Sequence, residues 1–522
     1  MSTEKKNNLL RQGTILAVAG ILVRVIGMLY RIPLANIVGD KGNGVYSVAF
    51  NVYNIALVLS SYGLPMAVSK MISATLSKNE YRNTKRIFSS AIIFACISGG
   101  IAALVIFFGA DWLARNVYAG YAGIELPLRV LAPTIFIVAV LGVFRGFFQG
   151  HGNMVPTAVS QIFEQIVNAI VSIVAAVVLV SAHKNAANVA GYGAMGATFG
   201  TCFGAVTAFL CVAVWYFIKR GDFISKVRKS ENEQNKSYGE IYKLIIFTTI
   251  PIILGQTFYQ ISAVFDDIIF GNLMTAKGYS DEIISASSGV YNSIYVLMIS
   301  IPMGVASALA SSALPSIVHS FTLDRDDEVK EKIHSVIKFN MMIALPSAVG
   351  LFILGEQIVR LIFPRLDYVT GGNMLRLGFM AVVFYALSTI TSSILQALDK
   401  MKKPVIHSAI SLVIHIVIVY SLIAFTDLKA YALVIGYMTF PMIVAVLNMI
   451  EIKKTIDYRQ EIKRTFGITG ACAIFMGICT FLAYKLVYAM TESNMISVVA
   501  ALLAALVSYF GPMIALKNIE KP

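Results

Sequence analysis

The chain has 522 residues, of which 57% are hydrophobic and only 13% charged, and its mean hydropathy is +0.75. Ordinary soluble domains carry about 25% charged residues. The composition therefore excludes a soluble enzyme or binding module and requires an all-α polytopic membrane protein. The net charge of +14 does not mark a nucleic-acid binder, because it is segregated by loop.

The N-terminal MSTEKKNNLLRQG leads directly into an apolar run without a small-residue cleavage site, which reads as a retained first helix rather than a signal peptide. Apolar stretches broken by Gly, Pro, Asn and charge clusters predict fourteen membrane helices. The first seven are expected near 12–37, 45–77, 87–109, 124–148, 155–181, 189–218 and 244–273. The other seven are expected near 288–317, 334–355, 373–398, 405–425, 429–452, 464–489 and 494–516. Loops on one side hold about 29 Lys and Arg against about 7 on the other, which places both termini in the cytoplasm.

The first helix contains ILVRVIGMLYRIP, with Arg24 and Arg31 inside the apolar run. Seven residues span two turns with only about 20° of drift, so the two share a face. An arginine at mid-bilayer costs at least about 2.5 kcal/mol on insertion scales. Arg24 is expected to face a hydrated cavity, whereas Arg31 could also snorkel outward. A guanidinium fork suits phosphate oxygens, so a phosphorylated substrate is one reading of these arginines, and an internal ion pair with a carboxylate is its rival. Candidate carboxylates are Glu164, in SQIFEQIVNAI, and the pair Asp266 and Asp267, which either line the cavity, bind a coupling cation, or lie at headgroup level. Asn54 and Gln256 are further cavity candidates, and Asn51 is polar on the same helix as Asn54. Lys70, Arg129, Arg145 and Arg376 are expected chiefly as anchors at helix ends, with cavity roles second. His407 and His415 read as hydrogen-bonded membrane histidines ahead of proton carriers.

The chain also repeats itself. Arg129 precedes Gln149 by the same interval as Arg376 precedes Gln396, Pro156 and Pro404 follow, and GVYSVAFNVYN is echoed by GVYNSIYVL about 245 residues later. Six helices separate the matches, which predicts parallel repeats. The expected organisation is an N-lobe at 1–218, a cytoplasmic basic linker at 219–243, a C-lobe at 244–453, and two final helices within 454–522. The five cysteines fall in apolar runs without CxxC spacing, so neither a disulfide nor a metal site is expected. No Walker loop, HExxH motif or catalytic triad is present, so the protein is expected not to be an enzyme, to need no cofactor, and to be driven by Na+, H+ or the membrane potential.

The first-helix arginines, GVYSVAFNVYNIALVLSSYGLPMAVSKMIS and RGFFQGHGNMVPTAVSQIFEQIVN resemble the polysaccharide-exporter branch of the multidrug/oligosaccharidyl-lipid/polysaccharide (MOP) superfamily. Within that branch the chain is most similar to the stage V sporulation protein B type, related to MurJ-type lipid II flippases. The resemblance implies two six-helix lobes in alternating access, moving an undecaprenyl-pyrophosphate-linked glycan, foremost lipid II, to the outer leaflet of a bacterial plasma membrane. It implies that Arg24 and Arg31 bind the pyrophosphate and that the last two helices form a groove for the lipid tail. MurJ-type proteins carry arginines in helices two and eight, where Asn54 and Leu297 fall here, so the anion site is expected to be built differently. Partners are then the lipid-linked glycan, the bilayer and cell-wall synthesis proteins, with the flippase itself monomeric. Alternatives are a flippase for another lipid-linked polysaccharide or a teichoic acid unit, a cation-coupled multidrug exporter, and a non-transporting envelope scaffold.

Overall fold

The computed structural model describes residues 3–230 and 236–516, and every regular element among them is helical. The first, α1 (Thr3–Ser60), is 58 residues long. At 1.5 Å per residue that is about 87 Å, nearly three times the hydrocarbon thickness. It does not run straight: Gly39 breaks it at φ 74°, ψ 172°, a conformation that is essentially restricted to glycine. This break lies between the first two expected spans. The chain breaks again at residues 61–63 before α2 (Leu64–Leu76), whose first turn carries Pro65.

Then follow α3 (Tyr81–Asn116), α4 (Glu125–Gly150), α5 (Val155–Ala182), α6 (Val189–Lys229) and α7 (Tyr238–Ala276). Much of the expected linker is helix, because α6 continues through Lys219–Lys229. The second half contains α8 (Asp281–Val290), a π turn (Tyr291–Val296), α9 (Leu297–Thr322) and α10 (Asp326–Ile362). After these come α11 (Tyr368–Gly378) and α12 (Ala381–Ala397), one apolar stretch bent by 53°. The chain finishes with α13 (Lys402–Phe425), α14 (Tyr431–Ile456), a π turn (Lys463–Ile468), α15 (Thr469–Thr491) and α16 (Asn494–Ala515). Eleven described helices, or twelve if the bent pair is one span, are long and apolar enough to cross a membrane.

The chain divides into two compact units, Met1–Thr275 with Tyr279–Ala286, and Ser287–Pro522 with Ala276–Gly278. The helix expected to open the second lobe, α7, packs within the first unit. Gly271 lies so close to the Ala119 carbonyl that a Cβ there would be 2.3 Å from its oxygen, so only glycine permits the approach. In the second unit α15 and α16 pack on α10. Cys472, Ala473, Met476 and Met513 form a small core against Leu345 and Val349, and the Tyr509 hydroxyl donates to the Met342 carbonyl at 2.8 Å.

Two local geometries recur at nearly one interval. Tyr46 stacks on Phe50 at 5.6 Å and 26°, and Tyr291 stacks on Tyr295, 245 residues later, at 5.7 Å and 26°. Arg129 pairs with Asp111 at 2.6 Å, and Arg376 pairs with Glu356 at 2.9 Å. Glu356 again lies 245 residues beyond Asp111. These two arginines are therefore not bare snorkelling anchors: each joins the helix before it to its own helix through a carboxylate.

Candidate functional site

Helix α1 has a clear lipid face. Val18, Leu22, Val25 and Leu29 are all exposed, and their spacing puts them within about 60° of one another around the helix. Ala19, Tyr30 and Leu34 are buried. Gly27 faces α5, where a Cβ would sit 3.6 Å from the Gln165 side-chain oxygen. Arg24 and Arg31 are both exposed, and both lie within about 60° of Gly27 on the helical wheel. Arg24 is equally about 60° from the exposed Ile21, so the two arginines occupy the exposed arc of α1 between its apolar stripe and its packed face.

From Arg31 a polar and aromatic seam runs into the first unit. Arg31 lies beside Tyr30 and Tyr46, and the Tyr30 hydroxyl accepts from Asn168 Nδ2 at 3.2 Å. Tyr46, Phe50 and Tyr53 form a ladder of rings along α1. Tyr53, at its far end, neighbours Glu164. Glu164 is not an open carboxylate: Arg145 Nη2 donates to its Oε2 at 2.7 Å, and Arg145 also donates to Ser160 Oγ at 3.2 and 3.1 Å. The side chains are only 14% and 26% exposed. Glu164 is thus balanced by Arg145 rather than by Arg24. Of the first unit's arginines, Arg145 is paired with Glu164 at one end of the ring ladder, and Arg31 lies beside Tyr30 and Tyr46 at the other.

Asp266 and Asp267 are 7% and 4% exposed, so both carboxyls lie inside the protein. Asp267 Oδ2 accepts from Asn51 Nδ2 at 2.8 Å, so it ties α7 to α1. Asn54 is half-buried and Lys70 exposed, and the Gln256 side chain lies outside the described residues. Among the described residues no group of three or more His, Cys, Asp or Glu could hold a metal ion.

The second unit answers with neutral groups. His407 Nδ1 meets Asn448 Oδ1 at 2.7 Å, and Asn448 Nδ2 donates to Thr391 Oγ1 at 3.1 Å and Ser392 Oγ at 2.9 Å. His415 Nδ1 lies 3.1 Å from the Gly436 carbonyl. Both histidines bridge α13 to α14. A tyrosine cluster surrounds the first π turn: the Tyr295 hydroxyl donates to the Gly378 carbonyl at 3.1 Å, and Tyr385 packs on Tyr437 at 4.7 Å. Sequence reasoning missed Tyr30, Tyr46 and Tyr53. The seven-residue interval between Tyr46 and Tyr53 was the available signal.

The geometry can be set beside known proteins. The polysaccharide biosynthesis protein family model matches residues 9–321, and the MatE family model matches residues 251–421. The chain is 26% identical to the lipid II flippase MurJ of Bacillus subtilis (strain 168) over 487 residues, covering 90% of this chain and 88% of that protein. Stage V sporulation protein B of the same organism is 22% identical over 474 residues, again covering 90% and 88%. Among solved structures, a lipid II flippase MurJ in an inward closed conformation superposes with a TM-score of 0.68 at 15% identity, covering 97% of this chain and all of that one. An inward-facing multidrug resistance MATE family transporter of the MOP superfamily gives 0.67 at 18% identity, covering 83% and 94%. The MurJ and MATE relatives are a flippase and a transporter rather than enzymes, in line with the missing catalytic motifs. The chain belongs to the polysaccharide biosynthesis protein family.

Proposed function

We propose that this protein is a flippase for an undecaprenyl-pyrophosphate-linked cell-wall precursor, with lipid II as the cargo, in the bacterial plasma membrane with both termini cytoplasmic. The observation that carries the reading is the placement of Arg24 and Arg31: exposed, on one face, beside rather than within the apolar stripe, and with no carboxylate paired to either among the described residues. Two guanidinium forks about 10.5 Å apart along the helix suit the oxygens of a pyrophosphate. Likeness to MurJ and to stage V sporulation protein B supports the cargo class. The recurring aromatic stack and ion pair support a fourteen-helix, two-repeat plan moving in alternating access. The driving force proposed is the membrane potential or a Na+ or H+ gradient.

Depletion of the protein in a strain without a redundant flippase should trap lipid II in the inner leaflet. Arg24→Ala at wild-type abundance should fail to restore flipping. Normal lipid II flipping after depletion would overturn the cargo assignment, and full activity of Arg24→Ala would overturn the site. A second reading, a cation-coupled drug exporter, is favoured by the MatE match. It requires an available carboxylate, and Glu164 is taken up by Arg145. Export of cationic dyes by the purified protein in vesicles would favour that reading instead.

A further inference from the structure

The first unit contains a second polar recess, separate from the arginine seam. It is a cavity of about 230 Å³ where the start of α3, the end of α4 and the extension of α6 meet. Its floor is aromatic: Phe147, Tyr216 and Phe223 pack edge to face at 5.3 to 5.5 Å. His151 lies against Phe147 at 4.3 Å. Its rim is cationic, formed by Lys219, Arg220 and Lys226, with Asp222 as the acid. Lys226 stands over the Tyr81 ring at 5.9 Å, and none of the three cations is in an ion pair among the described residues. Burial, aided by the Lys226 charge, holds the His151 imidazole below its ordinary pKa. With His151 neutral, three cations face one acid.

The depth of the recess in the bilayer can be read from α6 itself. Leu210, Val214, Phe217 and Ile218 are exposed and apolar, and the cations begin at the next residue. The lipid-facing surface therefore ends where the cationic rim starts, at headgroup level, on the side that the loop charges assign to the cytoplasm. A cationic rim over an aromatic floor at that level matches a phosphate joined to an apolar body.

We propose that this recess binds the phosphate headgroup of an anionic phospholipid from the cytoplasmic leaflet, at a site distinct from the one used by the cargo. Lys219, Arg220 and Lys226 hold the phosphodiester. The rings of Tyr81, Phe147 and Tyr216 cover the glycerol end. The site would anchor the first unit to anionic lipid, whichever cargo the arginine seam carries.

The test is native mass spectrometry of the full-length protein in detergent, with phosphatidylglycerol and phosphatidylcholine of matched acyl chains as probes. Wild type should retain phosphatidylglycerol about tenfold better than phosphatidylcholine. Lys219→Gln with Lys226→Gln should abolish that preference. Arg228→Gln with Lys229→Gln removes the same charge from the same helix, outside the recess, and should change it less than about twofold. Arg220→Gln alone gives an independent reading if the double variant does not elute as a folded species. Equal loss from both double variants would overturn the proposal, as would a wild type without preference. Displacement of the lipid by equimolar glycerol 3-phosphate would also overturn it, by making the site one for soluble phosphate esters.

Discussion

Removing Arg145 tests whether Glu164 is held by a structural partner or kept for ion coupling. In the protein, Arg145 makes three hydrogen bonds, one to Glu164 and two to Ser160. Arg145→Met keeps most of the side-chain volume but leaves the Glu164 carboxyl without its cation. Breaking a fully buried pair from one side costs about 3–5 kcal/mol. Because 26% of the Glu164 side chain is exposed, water screens part of that, and a loss of about 2–3 kcal/mol is expected. Glu164→Gln retains an acceptor for Arg145 and should cost about 1 kcal/mol. The double variant Arg145→Met, Glu164→Met has no orphaned charge and should recover most of the stability lost in the single variant. Thermal denaturation of the detergent-solubilised protein, followed by fluorescence-detected size exclusion, reads all three. A double variant no more stable than Arg145→Met would refute the reasoning. So would a Glu164→Gln protein of wild-type stability that no longer transports, because that outcome makes Glu164 a coupling site and Arg145 its accessory.

The paired arginines toward the other end of the helices should behave differently. Arg129 with Asp111 and Arg376 with Glu356 are about half exposed, so double-mutant cycles on thermal stability should give coupling of only about 0.2–1 kcal/mol per pair, diminished by salt. Glu461 supplies a pH test in the loop before the last two helices. Burial tends to raise its carboxyl pKa, but hydrogen bonds from the Arg464 and Thr465 backbone N–H groups and the Thr465 hydroxyl outweigh this and leave it below the ordinary value. A depressed carboxyl contributes stability that is fully present above its unfolded pKa and lost as pH falls through the folded one. Glu461→Ala should therefore cost about 1 kcal/mol at neutral pH and nothing once the pH is below the folded value. Thermal scans of both proteins between neutral and strongly acid pH check this.

Helix placement was legible because a membrane span is long, apolar and bounded by charge or by Gly and Pro. The expected spans coincide with helical segments to within a few residues, but 45–77 crosses the break at residues 61–63 and 288–317 crosses a π turn. Only eleven or twelve described helices are long and apolar enough to cross a membrane, where fourteen were expected. What composition does not encode is where a helix continues beyond its apolar core. Lys219–Lys229 is polar enough to read as linker, yet it remains helical as α6. The allegiance of α7 was equally hidden, because it rests on a close approach at Gly271 and a hydrogen bond between Asn51 and Asp267, residues 216 positions apart. At the site, the two arginines of α1 stood out as charges in hydrocarbon. Arg145 did not, because an arginine near a helix end is ordinarily explained by its distance from the bilayer centre. Only the fold brings it beside Glu164, nineteen residues away on the next helix. The tyrosines of the seam were hidden for a related reason: a ring in an apolar run looks like core until the fold shows what lies beside it, Asn168 for Tyr30, Arg31 for Tyr46 and Glu164 for Tyr53.

The two units solve the same packing problem with different chemistry. Arg376 and Gln396 lie 247 residues beyond Arg129 and Gln149, and the residue at that interval from Arg145 is Ser392. In the first unit this position holds a cation paired to a carboxylate on the next helix. In the second it holds a hydroxyl that accepts from Asn448, itself bonded to His407. At this position the second unit makes its link without charge, although Lys403 and Glu451 pair at 3.0 Å between α13 and α14 nearby, so the ionic version in the first unit invites another reason. Glu164 sits near Tyr53, at one end of the ring ladder that begins beside Arg31. Without Arg145, its charge would oppose that of Arg24 and Arg31 through a medium of low dielectric. Pairing with Arg145 cancels it locally, and among the described residues no other carboxylate is paired with Arg24 or Arg31. For an anionic cargo that is the useful arrangement, because the cations remain available while the carboxylate is held elsewhere.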